Sequence, residues 1–232
     1  MSSRFEELDW QSTPMGELTL RRRLEPRLGV DIFEVKLGDE YLMSSLFTVA
    51  EEQLAHLGLA QVAGHDLDVL VGGLGLGYTA AAALQDERVR SLAVVDALPA
   101  VIDWHRRGLL PVSRDITGDA RARLELGDFF AWMREPASET SRRFDAILVD
   151  IDHTPTHTLD ASHADLYTQA GLRSLAGYLA PGGVFALWSD DPPAADFLET
   201  LRSVFSTVSG ELVTFDNPLT GGTSANSVYL AH

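Results

Sequence analysis

The sequence predicts an α/β fold, in which a doubly wound sheet of seven mostly parallel strands follows a small N-terminal antiparallel β cap. From residue 68 onward, short apolar segments alternate with helical ones, which is the pattern of parallel strands joined by right-handed crossovers. The first apolar segment stops at the glycine-rich residues 72–77, and a helix-like run, TAAAAL, follows. The second apolar segment ends in a lone acid, Asp96. Both features belong to the carboxyl edge of the sheet, where open α/β sheets bind ligands.

Residues 1–48 predict the cap, and residues 49–232 predict the α/β domain. Turn residues at 14–16, 26 and 38–39 separate cap strands expected at residues 17–23, 29–37 and 41–47. Thr48 is a typical helix N-cap residue, and an amphipathic helix is predicted over residues 49–60. Because a three-stranded ribbon is marginal alone, we expect the cap to cover a functional site or to pack in a homodimer.

The remaining elements follow from the alternation of apolar and helical segments. Sheet strands are predicted at residues 68–71, 91–95, 123–125, 146–149, 184–188, 211–215 and 227–230. Helices are predicted at residues 79–85, 99–107, 129–134, 162–179 and 193–206. A loop over residues 217–226 precedes the last strand, which is expected to return antiparallel.

Composition excludes several classes of protein. The 232 residues include no cysteine, so disulfides, thiolate zinc sites and cysteine nucleophiles are excluded. The net charge of −16 argues against a nucleic-acid partner and fits a cationic small-molecule substrate. No segment is long enough for a membrane-spanning helix, and the first residues show no signal-peptide pattern, so we expect no membrane association and a cytoplasmic location.

The glycine spacing predicts an adenosine-containing cofactor. The order Gly73-x-Gly75-x-Gly77 differs from the G-x-G-x-x-G of dinucleotide enzymes, and no P-loop motif is present. Glycines let the backbone approach a ligand closely, and Asp96 can accept hydrogen bonds from ribose hydroxyls. The alternative is a tight strand-to-helix turn without a ligand.

Acids also follow later strands of the predicted sheet. Asp128 comes after the third strand, Asp150 and Asp152 after the fourth, and Asp190 and Asp191 after the fifth. A sheet held together by packing alone has no need for so many carboxylates at one edge. His153 and His157 add imidazoles beside Asp152, but this loop lacks a recognised metal-ligand spacing, so no metal is expected.

Four motifs together resemble one family, across residues 68–230. They are VLVGGLGLGY, VVDALPAVID, LELGDFFAWM and FDAILVDIDHTP. The chain resembles the class I S-adenosylmethionine-dependent methyltransferase superfamily, which has a seven-stranded Rossmann-like sheet, and within it the spermidine synthase (polyamine aminopropyltransferase) branch. The resemblance assigns cofactor binding to Gly73, Gly75, Gly77, Asp96, Ala97, Asp128 and Phe129. It makes Asp150 the catalytic base, and it leaves Asp152 and His153 as candidates for substrate binding. Asp128 also has the alternative of a helix N-cap, and Phe129 that of a core residue.

This resemblance implies aminopropyl transfer from decarboxylated S-adenosylmethionine to a cationic amine, with methylthioadenosine as the by-product. One alternative is methyl transfer from S-adenosylmethionine to a small molecule, with S-adenosylhomocysteine as the by-product. Another is a catalytically inactive nucleoside-binding homologue. Gly75 occupies the position where the branch carries an acid that holds the aminopropyl nitrogen, and DHTPTHTLD replaces the usual D-P-x-G-P-A segment. We therefore expect a weak preference for the decarboxylated donor.

Overall fold

A computed structural model describes residues 5–13 and 16–232 and contains two sheets. The cap is an antiparallel sheet of β1 (Phe5–Thr13), β2 (Gly16–Glu25), β3 (Val30–Leu37) and β4 (Glu40–Ser44), in that order. The sequence predicts three of these strands but not β1, whose pairing with β2 shifts register between Glu7 and Asp9 and so interrupts its alternation. Of the turn predicted at residues 14–16, Pro14 and Met15 lie outside the described residues.

The main sheet has the predicted seven strands. They are β5 (Leu67–Gly72), β6 (Val89–Asp96), β7 (Ala122–Leu126), β8 (Phe144–Val149), β9 (Leu179–Ser189), β10 (Val208–Asn217) and β11 (Gly222–Ala231). Their order is β10-β11-β9-β8-β5-β6-β7. The five strands from β9 to β7 are parallel, and β11 is antiparallel to both of its neighbours, as predicted. The order reverses beside β5, which is where α/β sheets open a ligand crevice.

Helices cover both faces of this sheet. They are α1 (Val49–Ala60), α2 (Tyr78–Leu84), α3 (Pro99–Arg106), α4 (Ser113–Thr117), α5 (Phe129–Arg134), α6 (Gln169–Ala176) and α7 (Ala195–Arg202), together with a 3-10 helix at Ala161–Tyr167. The short helix α4 was not predicted. Thr48 precedes α1 as expected, but its hydroxyl donates to the Glu52 carboxylate rather than capping a backbone amide.

Two predictions of local structure were wrong. The helix expected over residues 162–179 is divided at Thr168, which has extended backbone angles and accepts a hydrogen bond from the amide of Gly171 as the N-cap of α6. The loop expected over residues 217–226 is mostly strand, because β10 and β11 pair in a hairpin from Val208–Ala231 to Asn217–Gly222.

The cap is attached to the main domain through the core. Leu18, Leu20 and Val35 of the cap are buried in the same cluster as the helices on one face of the sheet. The fully buried Trp104 of α3 donates its indole N–H to the Asp9 carboxylate of β1 over 2.6 Å. The cap is therefore packed against the sheet, and β4 is held beside the carboxyl ends of the parallel strands.

Candidate active site

A cavity of about 490 Å³ lies at the carboxyl ends of β5, β8 and β9. Strand β4, the first turn of α1 and the β10–β11 hairpin complete its wall. The described wall carries four carboxyl groups, on Glu51, Asp150, Asp152 and Asp190, and no lysine or arginine. Such a wall favours a cationic ligand.

The glycine turn that follows β5 forms part of the wall. Gly73 has φ of 93°, and a Cβ there would lie 2.1 Å from the carbonyl oxygen of Asp150. Gly77 has φ of 92°, and a Cβ there would lie 2.6 Å from the His105 ring. Only glycine fits these two positions, so the close backbone turn expected from the sequence is present.

The half-buried Asp96 and the buried His105 hold the glycine turn in place. Asp96 accepts hydrogen bonds from the backbone amides of Leu74 and Leu98 at 2.9 and 2.8 Å, and a longer one of 3.5 Å from Gly75. Burial raises the pKa of Asp96, and the amides oppose that rise. His105 lies 2.9 Å from the carbonyl oxygen of Gly75, and burial lowers the pKa of His105, which favours a neutral ring donating from Nε2. The ribose-binding role of Asp96 stays a prediction.

Of the seven predicted cofactor residues, Gly75 and Gly77 line this cavity, whereas Gly73, Asp96, Ala97, Asp128 and Phe129 lie outside its wall. Asp128 is the N-cap of α5 and accepts from the amide of Ala131 at 2.9 Å, as its alternative interpretation predicted. Phe129 is 2% exposed, and its ring lies within 2.9 Å of a Cβ built on Gly72. Ala97 is exposed after β6. The adenine-binding role of this region stays a prediction, because its geometry also serves the fold.

Asp150 lies at the end of β8 and faces the cavity. The Thr79 hydroxyl, at the start of α2, lies 2.7 Å from Asp150 Oδ2 and 3.1 Å from the backbone carbonyl oxygen of Glu51. Burial raises the pKa of Asp150 to about 6, while the Thr79 hydrogen bond opposes the rise. The chain thus presents a carboxyl group, ionised at neutral pH and more basic than usual, in a fixed orientation.

The sequence patterns do not predict Glu51 and Thr79 as site residues. The sequence places Glu51 only within the helix predicted over residues 49–60. In the structure it lines the cavity, and burial raises its pKa to about 8, with a further contribution from the charge of Asp150. Thr79 is a hydroxyl residue at the start of an alanine-rich helix, and this was a signal that could have been used.

Asp152 is engaged by its own loop. It is 2% exposed and accepts hydrogen bonds of 2.8 Å from the Leu159 amide, from His163 Nδ1 and from the Tyr167 hydroxyl. The His163 ring stacks on Phe130 with 3.7 Å between centroids. These hydrogen bonds hold the loop after β8 in the cavity wall. Direct contact between Asp152 and the substrate stays a prediction.

His153 links the loop after β8 to the cap. Its Nε2 lies 3.1 Å from a carboxylate oxygen of Glu40 in β4, and its carbonyl oxygen accepts from the Asp190 amide at 2.7 Å. The Asp190 carboxylate in turn accepts from the Asn226 side chain at 2.7 Å. These contacts connect the cap, the β8 loop and the β10–β11 hairpin around one cavity.

Among residues 5–13 and 16–232, no helix is long and apolar enough to cross a membrane. Within the same residues, no group of three or more histidine or acidic side chains is placed to hold a metal ion.

Comparison with known proteins gives consistent results. No protein-family model matches the chain. The chain is 33% identical over 171 residues to polyamine aminopropyltransferase 2 of Pseudomonas aeruginosa, in an alignment that covers 68% of this chain and 46% of that protein. It is 28% identical to the polyamine aminopropyltransferase of Sulfolobus acidocaldarius, covering 70% of this chain and 54% of the relative. The chain therefore spans about half the length of these curated relatives.

Solved structures show the same fold at low sequence identity. A spermidine synthase in complex with the transition-state analogue AdoDATO superposes with a TM-score of 0.74 and 20% identity, over 97% of this chain and 73% of that one. Spermidine synthase from Thermotoga maritima gives a TM-score of 0.73 and 18% identity, over 97% of this chain and 72% of that one. The protein has the class I methyltransferase fold. Within that class it is a spermidine synthase-like protein, which confirms the resemblance seen in its motifs.

Proposed function

We propose that this chain catalyses aminopropyl transfer from decarboxylated S-adenosylmethionine to a cationic amine. The observation that carries the proposal is Asp150, held by Thr79 at the wall of a cavity that has four carboxyl groups and no lysine or arginine among its described residues. The proteins aligned with the chain are named polyamine aminopropyltransferases, which supports the same reaction.

The residues present fit a nucleoside donor. Gly73 and Gly77 let the turn pack closely against Asp150 and His105, and Gly75 and Gly77 line the cavity. Asp96 retains lone pairs beyond those used by the amides. Trp188 lines the cavity, and its indole N–H is buried without an acceptor among the described residues. When the donor is bound, its sulfonium makes the adjacent carbon electrophilic, so that a C–N bond to the amine forms as the C–S bond breaks and its electron pair stays on sulfur.

Asp150 has two tasks in this reaction. Its negative charge attracts the protonated amine, and its carboxylate then accepts the proton that the amine must lose to expose a lone pair. The raised pKa of about 6 makes this carboxylate a stronger base than an exposed aspartate. The rigid wall orients the amine for in-line attack, which lowers the entropic part of the barrier.

The test is an assay that follows both by-products with a panel of diamines and monoamines. We expect methylthioadenosine and the aminopropylated amine from the decarboxylated donor, and no S-adenosylhomocysteine from S-adenosylmethionine. Formation of S-adenosylhomocysteine would support methyl transfer instead. Binding of methylthioadenosine without either product would identify a nucleoside-binding homologue.

We also propose that the protein acts as a homodimer in the cytoplasm. The outer face of the cap supports association, since Trp10 is 49% exposed and Val30 is 46% exposed. Light scattering across a range of protein concentrations tests the oligomeric state, and a monomer throughout would contradict it. Cell fractionation tests the location.

A further inference from the structure

The first turn of α1 lies directly beside the predicted base. The Thr79 hydroxyl lies within hydrogen-bond distance of both the Glu51 carbonyl oxygen and the Asp150 carboxylate, at 3.1 and 2.7 Å. Glu51 and Gly75 line the same cavity as Asp150. Residues far apart in the sequence therefore place a second carboxyl group next to the first.

The Glu51 carboxyl group has no cationic partner among the described residues. It accepts a hydrogen bond from its own amide, and the charged groups that act on it are the acids Asp150, Glu52 and Asp190. The other ionisable side chains around it are Tyr41, Tyr78, Asp152 and His153, none of which carries a permanent positive charge. A partly buried carboxyl group beside other acids either stays protonated or pairs with a cation. Because Glu51 lines an open cavity, a cationic ligand can reach it and supply that pair.

Gly75 has no side chain, so position 75 supplies no carboxylate to pair with a cationic ligand. A Cβ on Gly75 would point towards Met43 in the cavity wall, 3.0 Å from its sulfur. We propose that Glu51 binds the ammonium group of the donor's aminopropyl chain and thereby replaces a carboxylate at position 75. This inference rests on the proposed function, because it assumes the aminopropyl donor.

This assignment also makes Glu51 a determinant of donor specificity. The decarboxylated donor carries only an ammonium at the end of its chain, whereas S-adenosylmethionine carries a carboxylate beside it. That carboxylate would enter a wall already occupied by Glu51, Asp150 and Asp190, where like charges repel. Selection then comes from repulsion of the wrong donor as well as attraction of the right one.

The protonation of Glu51 supplies a second readout. Its pKa of about 8 keeps the carboxyl group mostly protonated at pH 7, while Asp150 is mostly ionised. An ammonium beside Glu51 favours the ionised form, so binding of the decarboxylated donor at pH 7 releases a proton. Methylthioadenosine, which has no ammonium, releases none from this group.

The experiment measures calorimetric affinities of methylthioadenosine, decarboxylated S-adenosylmethionine and S-adenosylmethionine for three proteins. These are the wild type, Glu51→Gln and the control Glu52→Gln. Glu52 is the next residue in the chain, and its carboxylate accepts a hydrogen bond from the Thr48 hydroxyl. We expect Glu51→Gln to weaken binding of the decarboxylated donor by about 10- to 100-fold and to leave methylthioadenosine within about twofold. Glu52→Gln should preserve both affinities.

Several outcomes would overturn the assignment. One is an unchanged ratio of the two affinities in Glu51→Gln, and another is the absence of proton release by the wild type in buffers of different ionisation enthalpy. An increase in the amine KM without a change in donor affinity would give Glu51 to the acceptor instead. The double variant Glu51→Gln/Gly75→Asp should recover part of the preference for the decarboxylated donor, and melting curves check that each variant is folded. Failure of the wild type to bind methylthioadenosine would refute the proposed function itself, which is distinguishable from all of these.

Discussion

The two sides of the carboxyl edge of the sheet use their acids differently. On the side of β5 and β6, Asp96 is bonded to backbone amides at 2.9 and 2.8 Å and holds the glycine turn. On the side of β8 and β9, Asp150 is bonded to one hydroxyl and shares a cavity with Glu51 and Asp190. Asp96 stabilises the backbone of the glycine turn. Asp150, Glu51 and Asp190 line a cavity without lysine or arginine among its described residues, so a cationic ligand can bind beside them.

This contrast separates binding from chemistry within one site. Amide donors stabilise the charge of Asp96 whether or not a ligand is present. Burial raises the pKa of Asp96, Asp150 and Glu51 alike, and three backbone amides oppose the rise at Asp96. Asp150 has only the Thr79 hydroxyl and Glu51 only its own amide, so a cationic ligand would stabilise the charge of these two groups. Variants on the two sides should therefore affect different measurements.

The largest effect is expected on the β8 side. Asp150→Asn should reduce aminopropyl transfer by about 10²- to 10⁴-fold, the range for loss of a general base, because the amide cannot accept a proton. Affinity for methylthioadenosine should remain, since the β5–β6 side is unchanged. Steady-state rates test the loss of transfer, and calorimetry tests the retained affinity for methylthioadenosine. Full activity in this variant would show that Asp150 is not the base.

A smaller effect is expected on the β6 side. Asp96→Asn should weaken methylthioadenosine binding by about 10- to 100-fold, because the amide group is a poorer partner for ribose hydroxyls and for the turn amides. Asp103→Asn is the matched control, since Asp103 is exposed on α3 and pairs with Arg107 at 3.1 Å. Equal calorimetric affinities in the two variants would contradict the ribose-binding role.

Thr79 offers a test of how the base is positioned. Its hydrogen bond opposes the rise in the pKa of Asp150, so Thr79→Val should raise that pKa. Because Asp150 must be ionised to act as a base, the acidic limb of the pH profile of kcat/KM should move to higher pH. Thr79→Ser keeps the hydroxyl and should restore the profile. A uniform loss of rate without a shift would indicate a structural role only.

The smallest effect concerns stability in the absence of ligand. The folded-state pKa of Glu51 is raised to about 8 from a usual 4.5, so the folded chain binds more protons than the unfolded chain between these values. The free energy of unfolding should therefore fall as pH rises from about 4.5 to about 8 and should show no further loss from this group above that pH. Burial lowers the pKa of His105, which acts in the opposite direction at lower pH, so melting temperatures are compared between pH 7 and 9. Glu51→Gln should flatten this slope, and an equal slope in the variant would argue against a buried Glu51 carboxyl group.

Predictions from the sequence succeeded where local pattern and structure coincide. The strands β5, β6 and β8 are continuous apolar segments that end at a glycine or an acid, and these signals also fix the close turn at Gly73 and Gly77. Thr168, by contrast, breaks a helix that periodicity alone would continue. The helix is interrupted because the Thr168 hydroxyl caps the Gly171 amide. A continuous helix would show a similar pattern of apolar residues, so periodicity does not distinguish the two.

Asp152 shows why the candidate site was less predictable than the fold. A strand-end acid looks the same in the sequence whether it faces a ligand or accepts three hydrogen bonds from its own loop. The difference depends on His163 and Tyr167, which reach Asp152 only because the 3-10 helix folds back onto the end of β8. The roles of the strand-end acids therefore needed the positions of their partners.

By itself, the sequence determined the alternation of strands and helices, the glycine turn and the positions of Asp96 and Asp150 at strand ends. These features arise from apolar periodicity and backbone conformation, which act over a few residues. Only the tertiary structure decided that Glu51, Thr79, Asp150 and Asp190 share one site. Their proximity depends on the packing of α1 and α2 against each other and on the strand order β9-β8-β5, and their electrostatics depend on the burial that this packing creates.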